Sequence, residues 1–541
     1  MAYSLYFVIF LFIVFRPIYC KYPKSMIVST EQGQIEGYLV PSQVYYEFCG
    51  IRYAITRNRY TAPVEPPKHK GIFKADDRLV VCPQFGALDI FAKPSENEDC
   101  LILNVYVPAW TNATLPVIVF LHGGDFGVGS SSPKFYGPKY LMTTEVILVT
   151  VNYRLNAFGF LNLGTKEAPG NAGLKDIRAA LRWIKKNINN FHGDNENVTV
   201  FGQGSGGIAA IYLTLSKSCE GLFHKIISCS GTLFSVKSFD PNPLATASQV
   251  AKSLGLNTMD RNELANLYSE VAINKLEEAI SHQMNAKSTF LPSVETYLYG
   301  EPFLTDTPYH LMYSKDFNPV PAIFGLNSVE GIITILDYYT FTSQTNRLLN
   351  EDYSVLDQRN FAVPKNAVGE VRKIIKDAYF SNLTSEQVAT GSLIQFNTDF
   401  QYIGPMAFFT ELYTNNSKVD VYQYVFNHKG NRNLGTLLTD TSDLPSTTNL
   451  DDLFYIFELE QPALPINVDD AKIVEAMINI WTTFARHGTP TLGDPRDIWL
   501  TYPGLLAISL PEPHPVRPLR PEIGEFWQFL FNQYGAEIFS E

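Results

Sequence analysis

The chain has 541 residues, 45% hydrophobic and 18% charged, a composition that can bury a large core and is neither low-complexity nor disordered. Its 42 Lys and Arg stand against 54 Asp and Glu, a net charge of −12 at pH 7 with no basic block, which excludes a phosphate-backbone partner and with it nucleic-acid binding. Nine histidines and six cysteines are the whole supply for imidazole chemistry and soft metal ligands, and no cofactor or metal motif appears among them.

The first 20 residues, MAYSLYFVIFLFIVFRPIYC, hold an apolar run from Leu5 to Phe15 that Arg16 and Pro17 break. That is the length of a secretory apolar region and short of the roughly 20 residues that span a bilayer, so residues 1–20 read as a signal peptide, with a buried N-terminal strand as the alternative. No second apolar run of spanning length follows, so the expected product is secreted and extracellular, without a membrane span. Four Asn-x-Ser/Thr sequons, at Asn112, Asn197, Asn382 and Asn415, fit that route as glycosylation sites. In an oxidising compartment Cys82 would pair with Cys100 and Cys219 with Cys229, leaving Cys49 odd, although spacing alone does not fix that connectivity.

From residue 98 onward short apolar runs alternate with amphipathic stretches. LPVIVFLHGG (115–124) and EVILVTVNY (145–153) are β-branched runs of the kind found in buried parallel strands. LKDIRAALRWIKKNI (174–188) places Leu174, Ile177, Leu181, Ile184 and Ile188 at three- and four-residue steps, an amphipathic helix. In VTVFGQGSGGIAAIYLTLS (198–216) a strand runs into a glycine-rich turn and out into an apolar helix. KIISCSG (225–231), PVPAIFGLNSVEG (319–331) and VDVYQYVF (419–426) read as further strands. The pattern predicts an α/β fold with a large, mostly parallel sheet covered by helices on both faces, a single domain over 21–541 with ligands at the carboxyl ends of the strands.

A glycine-rich turn between strand and helix can cradle a phosphate or set a nucleophile on a strained elbow. GQGSGG (202–207) lacks the lysine of a phosphate-binding loop, and its glycine spacing falls outside the mononucleotide-unit context that dinucleotide binding needs. The segments around it, FCGIRYA (48–54), EDCLILNVYVP (98–108), FLHGGDF (120–126), NYRLNAFGFL (152–161), GNAGLKD (170–176), NFHGDNENVTVFGQGSGG (190–207), GLFHKIISCSG (221–231), FGLNSVEG (324–331) and WTTFARHGTP (481–490), resemble the type-B carboxylesterase and cholinesterase family in family order over nearly the whole chain. The resemblance implies the α/β-hydrolase fold and a Cys82–Cys100 disulfide.

Such esterases use a serine nucleophile, an acid and a histidine base in that chain order, with backbone N–H donors aimed at the oxyanion. Carried over residue by residue, the family elbow G-E-S-A-G-G aligns its nucleophile with Gly204, and Ser205 falls one position later, at an oxyanion-hole position. The acid falls on Glu330, in NSVEG. The base falls in STTNLDDLFYIF (446–457), on Asn449, an amide that cannot accept a proton near neutral pH. His428, 21 residues upstream of Asn449, is the nearest substitute in sequence. In the oxyanion loop, HGGDF places Gly124 and Asp125 where the family has small donor residues, and His122 matches a loop-supporting position.

The expectation is therefore a non-catalytic member, resembling the cholinesterase-like adhesion proteins neuroligin, neurotactin, gliotactin and glutactin. Its role would be that of an extracellular binding or adhesion/matrix protein, its partner an extracellular protein or cell-surface receptor. A carrier of small hydrophobic ligands in a vestigial gorge and a residual carboxylic ester hydrolase are the alternatives. The family's habit of pairing through a four-helix contact makes a homodimer an expectation too. IVEAMINIWTTFARHG (473–488) fits one such helix or inward packing equally.

Overall fold

The computed structural model describes residues 23–40, 45–84, 95–235, 237–284, 290–297, 300–356, 367–460, 463–491, 499–517, 520–530 and 532–533. Residues 1–20, read above as a signal peptide, lie outside the described residues.

The strands are β1 (Ser25–Thr30), β2 (Gly33–Val40), β3 (Tyr45–Arg52), β4 (Phe73–Lys74), β5 (Val80–Val81), β6 (Ser95–Glu96), β7 (Ile102–Pro108) and β8 (Leu115–Leu121), then β9 (Ile147–Val151), β10 (Gly193–Gln203), β11 (Lys225–Cys229), β12 (Ala322–Asn327), β13 (Val421–Phe426), β14 (Leu505–Ile508) and β15 (His514–Val516). Apart from β5 and β6, which pair with each other, they form one sheet in the order β1-β2-β3-β7-β9-β8-β10-β11-β12-β13-β14-β15, with β4 on β2. From β9 to β14 neighbours are parallel. The meander β1-β2-β3-β7 and the edge strand β15 are antiparallel.

Alternation along the central strands explains why the sheet is buried on both sides. Val117, Val119, Val200, Ile226 and Phe324 face one hydrophobic core, whereas Ile118, Phe120, Phe201, Ile227 and Tyr424 face the other. Register keeps the two sets aligned, Val119 opposite Val200 and Val200 opposite Ile226. Each such side chain removed from water contributes about 1.5–3 kcal/mol, so the centre of the sheet is rigid where its carboxyl ends must hold loops in place.

The helix Ala172–Asn187 buries Leu174, Ile177, Leu181 and Ile184 on its sheet-facing side. The helix Val468–His487 opens on a capping box between Asn467 and Asp470 and closes on Gly488 with φ +75°. It packs inward: Ile473, Met477, Ile480, Trp481 and Phe484 are buried in the second core, with Trp481 edge-on to Phe201 and Tyr424. Among the described residues no helix is long and apolar enough to cross a membrane.

Cys82 and Cys100 form a disulfide. The pairing of Cys219 with Cys229 is corrected: both are buried free thiols, as is Cys49. Cys219 lies in the turn that precedes β11 and Cys229 at its carboxyl end. Cys219 belongs to the core on one face of the sheet and Cys229 to the core on the other, whereas a disulfide needs Cα atoms within about 7 Å. Cys229 Sγ instead meets the Tyr424 hydroxyl at 2.9 Å.

A non-reducing peptide map should thus contain the crosslinked Cys82–Cys100 peptide and, after unfolding, alkylated Cys219 and Cys229; a Cys219–Cys229 peptide would contradict the fold. Replacing Cys82 and Cys100 together with Ser should lower the unfolding free energy by about 3 kcal/mol, because the unfolded chain is then no longer constrained by a loop across their sequence separation of 18.

Candidate functional site

The site lies where β8, β10, β11 and β12 end. Strand β10 finishes at Gln203, the chain turns at Gly204 and enters the wholly buried helix Ser205–Leu215. Gly204 has φ +54° and ψ −123°, a conformation of the nucleophile-elbow type that a side chain would bear only under strain. A Cβ built on Gly204 meets nothing within 4 Å, so the space that an elbow side chain would enter is open. The neighbouring glycines serve packing: a Cβ on Gly206 would stand 2.1 Å from the Leu121 carbonyl oxygen, and one on Gly202 2.1 Å from that of Gly206. The helix thus seats directly on the end of β8.

A second segment comes to the elbow from far along the chain. Thr447 and Thr448 stitch it to the end of β12: Val329 N donates to Thr447 O, Thr448 Oγ1 donates to Glu330 O at 2.9 Å, and Ile333 N donates to Thr448 Oγ1. This brings Asn449 to the carboxyl of Glu330. Asn449 Nδ2 donates to Glu330 Oε2 at 3.0 Å, and Gln203 Nε2 donates to Asn449 Oδ1 at 2.8 Å. Glu330 Oε1 accepts from Ser230 Oγ at 2.6 Å and from Asn327 N at 2.7 Å. Gln203, Asn449 and Glu330 therefore form one hydrogen-bonded chain beside Gly204, and the amide oxygen of Asn449 is already taken.

The loop after β8 is wound tightly. Gly124 has φ +114° and a Cβ there would meet the Val128 carbonyl oxygen at 2.2 Å. Gly127 N and Val128 N close back on Gly124 O at 2.9 and 3.0 Å. Asp125 and Phe126 follow with φ of +55° and +57°, values that few side chains adopt. Among the described residues no acceptor takes the backbone N–H of Gly124, Asp125 or Ser205. His122 is buried, stacks on Tyr153 and donates from Nδ1 to the Gly123 carbonyl at 3.0 Å; burial lowers its pKa to about 4, so it is neutral. The Asp125 carboxylate pairs with Lys237 at 2.6 Å and raises the lysine's pKa.

A model of the family described as "Carboxylesterase family" matches residues 24–511. The chain belongs to that family. Juvenile hormone esterase of Heliothis virescens is 29% identical over 535 residues, covering 91% of each chain. Venom carboxylesterase-6 of Apis mellifera is 28% identical, with 86% of each covered. The crystal structure of juvenile hormone esterase from Manduca sexta, with OTFP covalently attached, superimposes with a TM-score of 0.85 at 25% identity, covering 94% of this chain and 100% of that one. The sheet and its helices are the α/β-hydrolase fold.

Set against the carboxylesterase pattern, the structure brings Gly204, Glu330 and Asn449 to one place and leaves other residues out. Ser205 is buried at the start of its helix, its hydroxyl beside that of Tyr153. His428 is not at the site: its Nε2 meets Asp470 Oδ1 at 3.0 Å, at the capping box of the helix Val468–His487. Two groups escaped the sequence reading. Gln203 sits where the family motif has Glu, and that change, one of three between G-E-S-A-G-G and GQGSGG, was the visible sign of an amide paired to Asn449. Asp452 is fully buried and accepts from the Tyr424 hydroxyl at 2.7 Å and from Asn327 Nδ2 at 3.4 Å; nothing local in STTNLDDL marks it.

Neither Glu330 nor Asp452 has an ion-pair partner among the described residues, and both are fully buried. Burial pushes the Glu330 carboxyl from 4.5 up to about 7, the Asp452 carboxyl adds to the rise, and the bonds from Ser230, Asn327 and Asn449 oppose it. A carboxyl whose pKa is higher folded than unfolded stabilises the fold fully below its unfolded pKa, and that contribution is lost as pH rises through the folded value. Measured as the difference in unfolding free energy between the native chain and Glu330→Gln, the native chain should lose about 3 kcal/mol between about pH 4 and about pH 8. A difference that stays flat with pH would contradict a buried, uncompensated Glu330.

Proposed function

We propose that this carboxylesterase-family chain is a non-hydrolytic protein that acts by binding, exported and working as an extracellular binding or adhesion/matrix protein toward a protein or cell-surface partner. The observation that carries the reading is the Gln203–Asn449–Glu330 chain beside Gly204. The elbow offers no hydroxyl to attack a carbonyl. The position facing the acid holds an amide whose oxygen is already hydrogen-bonded, so that position offers no base to take a proton from a nucleophile. Losing a triad serine or histidine costs about 10⁶-fold in turnover, and here both positions are changed. Export is supported by the apolar segment at Leu5–Phe15, the sequons and the Cys82–Cys100 disulfide.

The open space at Gly204 favours a second reading, a carrier of small hydrophobic ligands. Several relatives are named for an ester substrate, juvenile hormone, and a site of that ancestry stripped of its nucleophile would hold such an ester without cleaving it.

The purified chain should show no turnover of short aryl esters above a heat-denatured control and no labelling by an organophosphonate serine probe; labelling at Ser205 would overturn the non-hydrolytic reading. Solvent extracts of the purified protein, read by mass spectrometry, separate the two binding roles. A stoichiometric lipophilic molecule supports the carrier, and an empty extract favours the protein-binding role.

A further inference from the structure

The four sequons are not equivalent in the fold. Asn112 is exposed in the turn between β7 and β8, and Asn382 is exposed between two helices. Asn415 is exposed as the last residue of the helix Gly404–Asn415, which leads to β13. Asn197 differs. It lies within β10, half-buried, where its Nδ2 donates to the Arg486 carbonyl at 3.3 Å and its Oδ1 accepts from Lys225 Nζ. A sugar on that nitrogen would displace the Arg486 contact and turn the amide out of the sheet, leaving the largely buried Lys225 ammonium without its acceptor.

Their positions along the sheet share one property. The turn holding Asn112 feeds the amino end of β8, and Asn415 precedes the amino end of β13. Asn197 stands six residues before Gln203, about 20 Å from the elbow along the strand. The helix Glu386–Thr398 is about 20 Å long; its Thr398 end receives the Gly331 N–H beside Glu330, and Asn382 lies just before its other end. Asn112, Asn197 and Asn415 thus lie toward the amino ends of the parallel strands β8, β10 and β13, and Asn382 stands about a helix length from Glu330, so none adjoins Gly204 or Asn449 at the carboxyl ends of those strands.

We propose that Asn112, Asn382 and Asn415 carry N-linked glycans, that Asn197 in the folded protein does not, and that the carboxyl-end face around Gly204 and Asn449 is left bare of carbohydrate. The co-reactant is a lipid-linked oligosaccharyl diphosphate. The amide Nδ2 forms a bond to the anomeric carbon of the first sugar, the bond from that carbon to the phosphate oxygen breaks, the lipid diphosphate leaves, and Nδ2 gives up one proton. The inference rests on export, which belongs to the function proposed above, and adds to it which end of the molecule is open to a partner.

The test is to express the full chain with its own N-terminus in mammalian secretory cells, collect the medium, remove glycans enzymatically in ¹⁸O-water and map the peptides. ¹⁸O-labelled Asp should appear at positions 112, 382 and 415, with unmodified Asn at 197. Each of Asn112→Gln, Asn382→Gln and Asn415→Gln should remove one glycan step in electrophoretic mobility, and Asn197→Gln none. A glycan at Asn197 in the secreted, protease-resistant protein, or bare Asn at the other three, would overturn the proposal. A chain held unglycosylated in the cytosol would overturn the export reading beneath it. The same chain secreted behind a foreign leader, with those three sites still bare, would overturn the glycan assignment alone.

Discussion

The Glu330 carboxyl sits at the end of β12 with no accessible surface and, among the described residues, no cation beside it. A group so placed must be hydrogen-bonded or protonated, and the surrounding structure is arranged to satisfy it. Ser230 at the end of β11, the Asn327 backbone and Asn449 each give it a donor. Asn449 is in turn fixed by Gln203, the residue before the elbow. The demand of one buried acid therefore aligns the ends of three strands and one distant loop. Its partner is the Asn449 amide, and the chain of bonds runs on from there to Gln203.

Packing holds the elbow at Gly204. Gly206 lies against the Leu121 carbonyl and Gly202 against Gly206, so the helix Ser205–Leu215 seats on the end of β8 whatever residue stands at 204. The positive φ that a serine would bear under strain is relaxed at Gly204, where no side chain resists it. Fold and chemistry are separable in this family for that reason: two buried cores fix the backbone, and a few side chains at its carboxyl edge decide whether an ester is cleaved.

Much of the architecture was legible in the sequence. The runs at 115–124 and 145–153 became β8 and β9 because a strand buried on both faces has no polar alternation to hide it, and the helix at 174–188 showed its apolar stripe at the correct steps. The elbow stood out as GQGSGG. What escaped depends on residues far apart in the chain. Asp452 meets Tyr424 and Asn327 through the assembled sheet, and Lys237 meets Asp125 across 112 residues. Cys219 and Cys229 stay apart despite their closeness in sequence because β11 lies extended between them.

Restoring a nucleophile and a base asks whether the scaffold holds hydrolase geometry around Gly204, Glu330 and Asn449. Gly204→Ser with Asn449→His, made with and without Gln203→Glu, should bind substrate as a folded esterase would. Turnover of a short aryl ester should appear in the double variant and rise further in the triple one, because the Gln203 amide otherwise engages the side chain at 449. A serine probe should then label position 204. A folded triple variant that neither turns over ester nor takes the probe would show that the elbow and the acid do not hold that geometry.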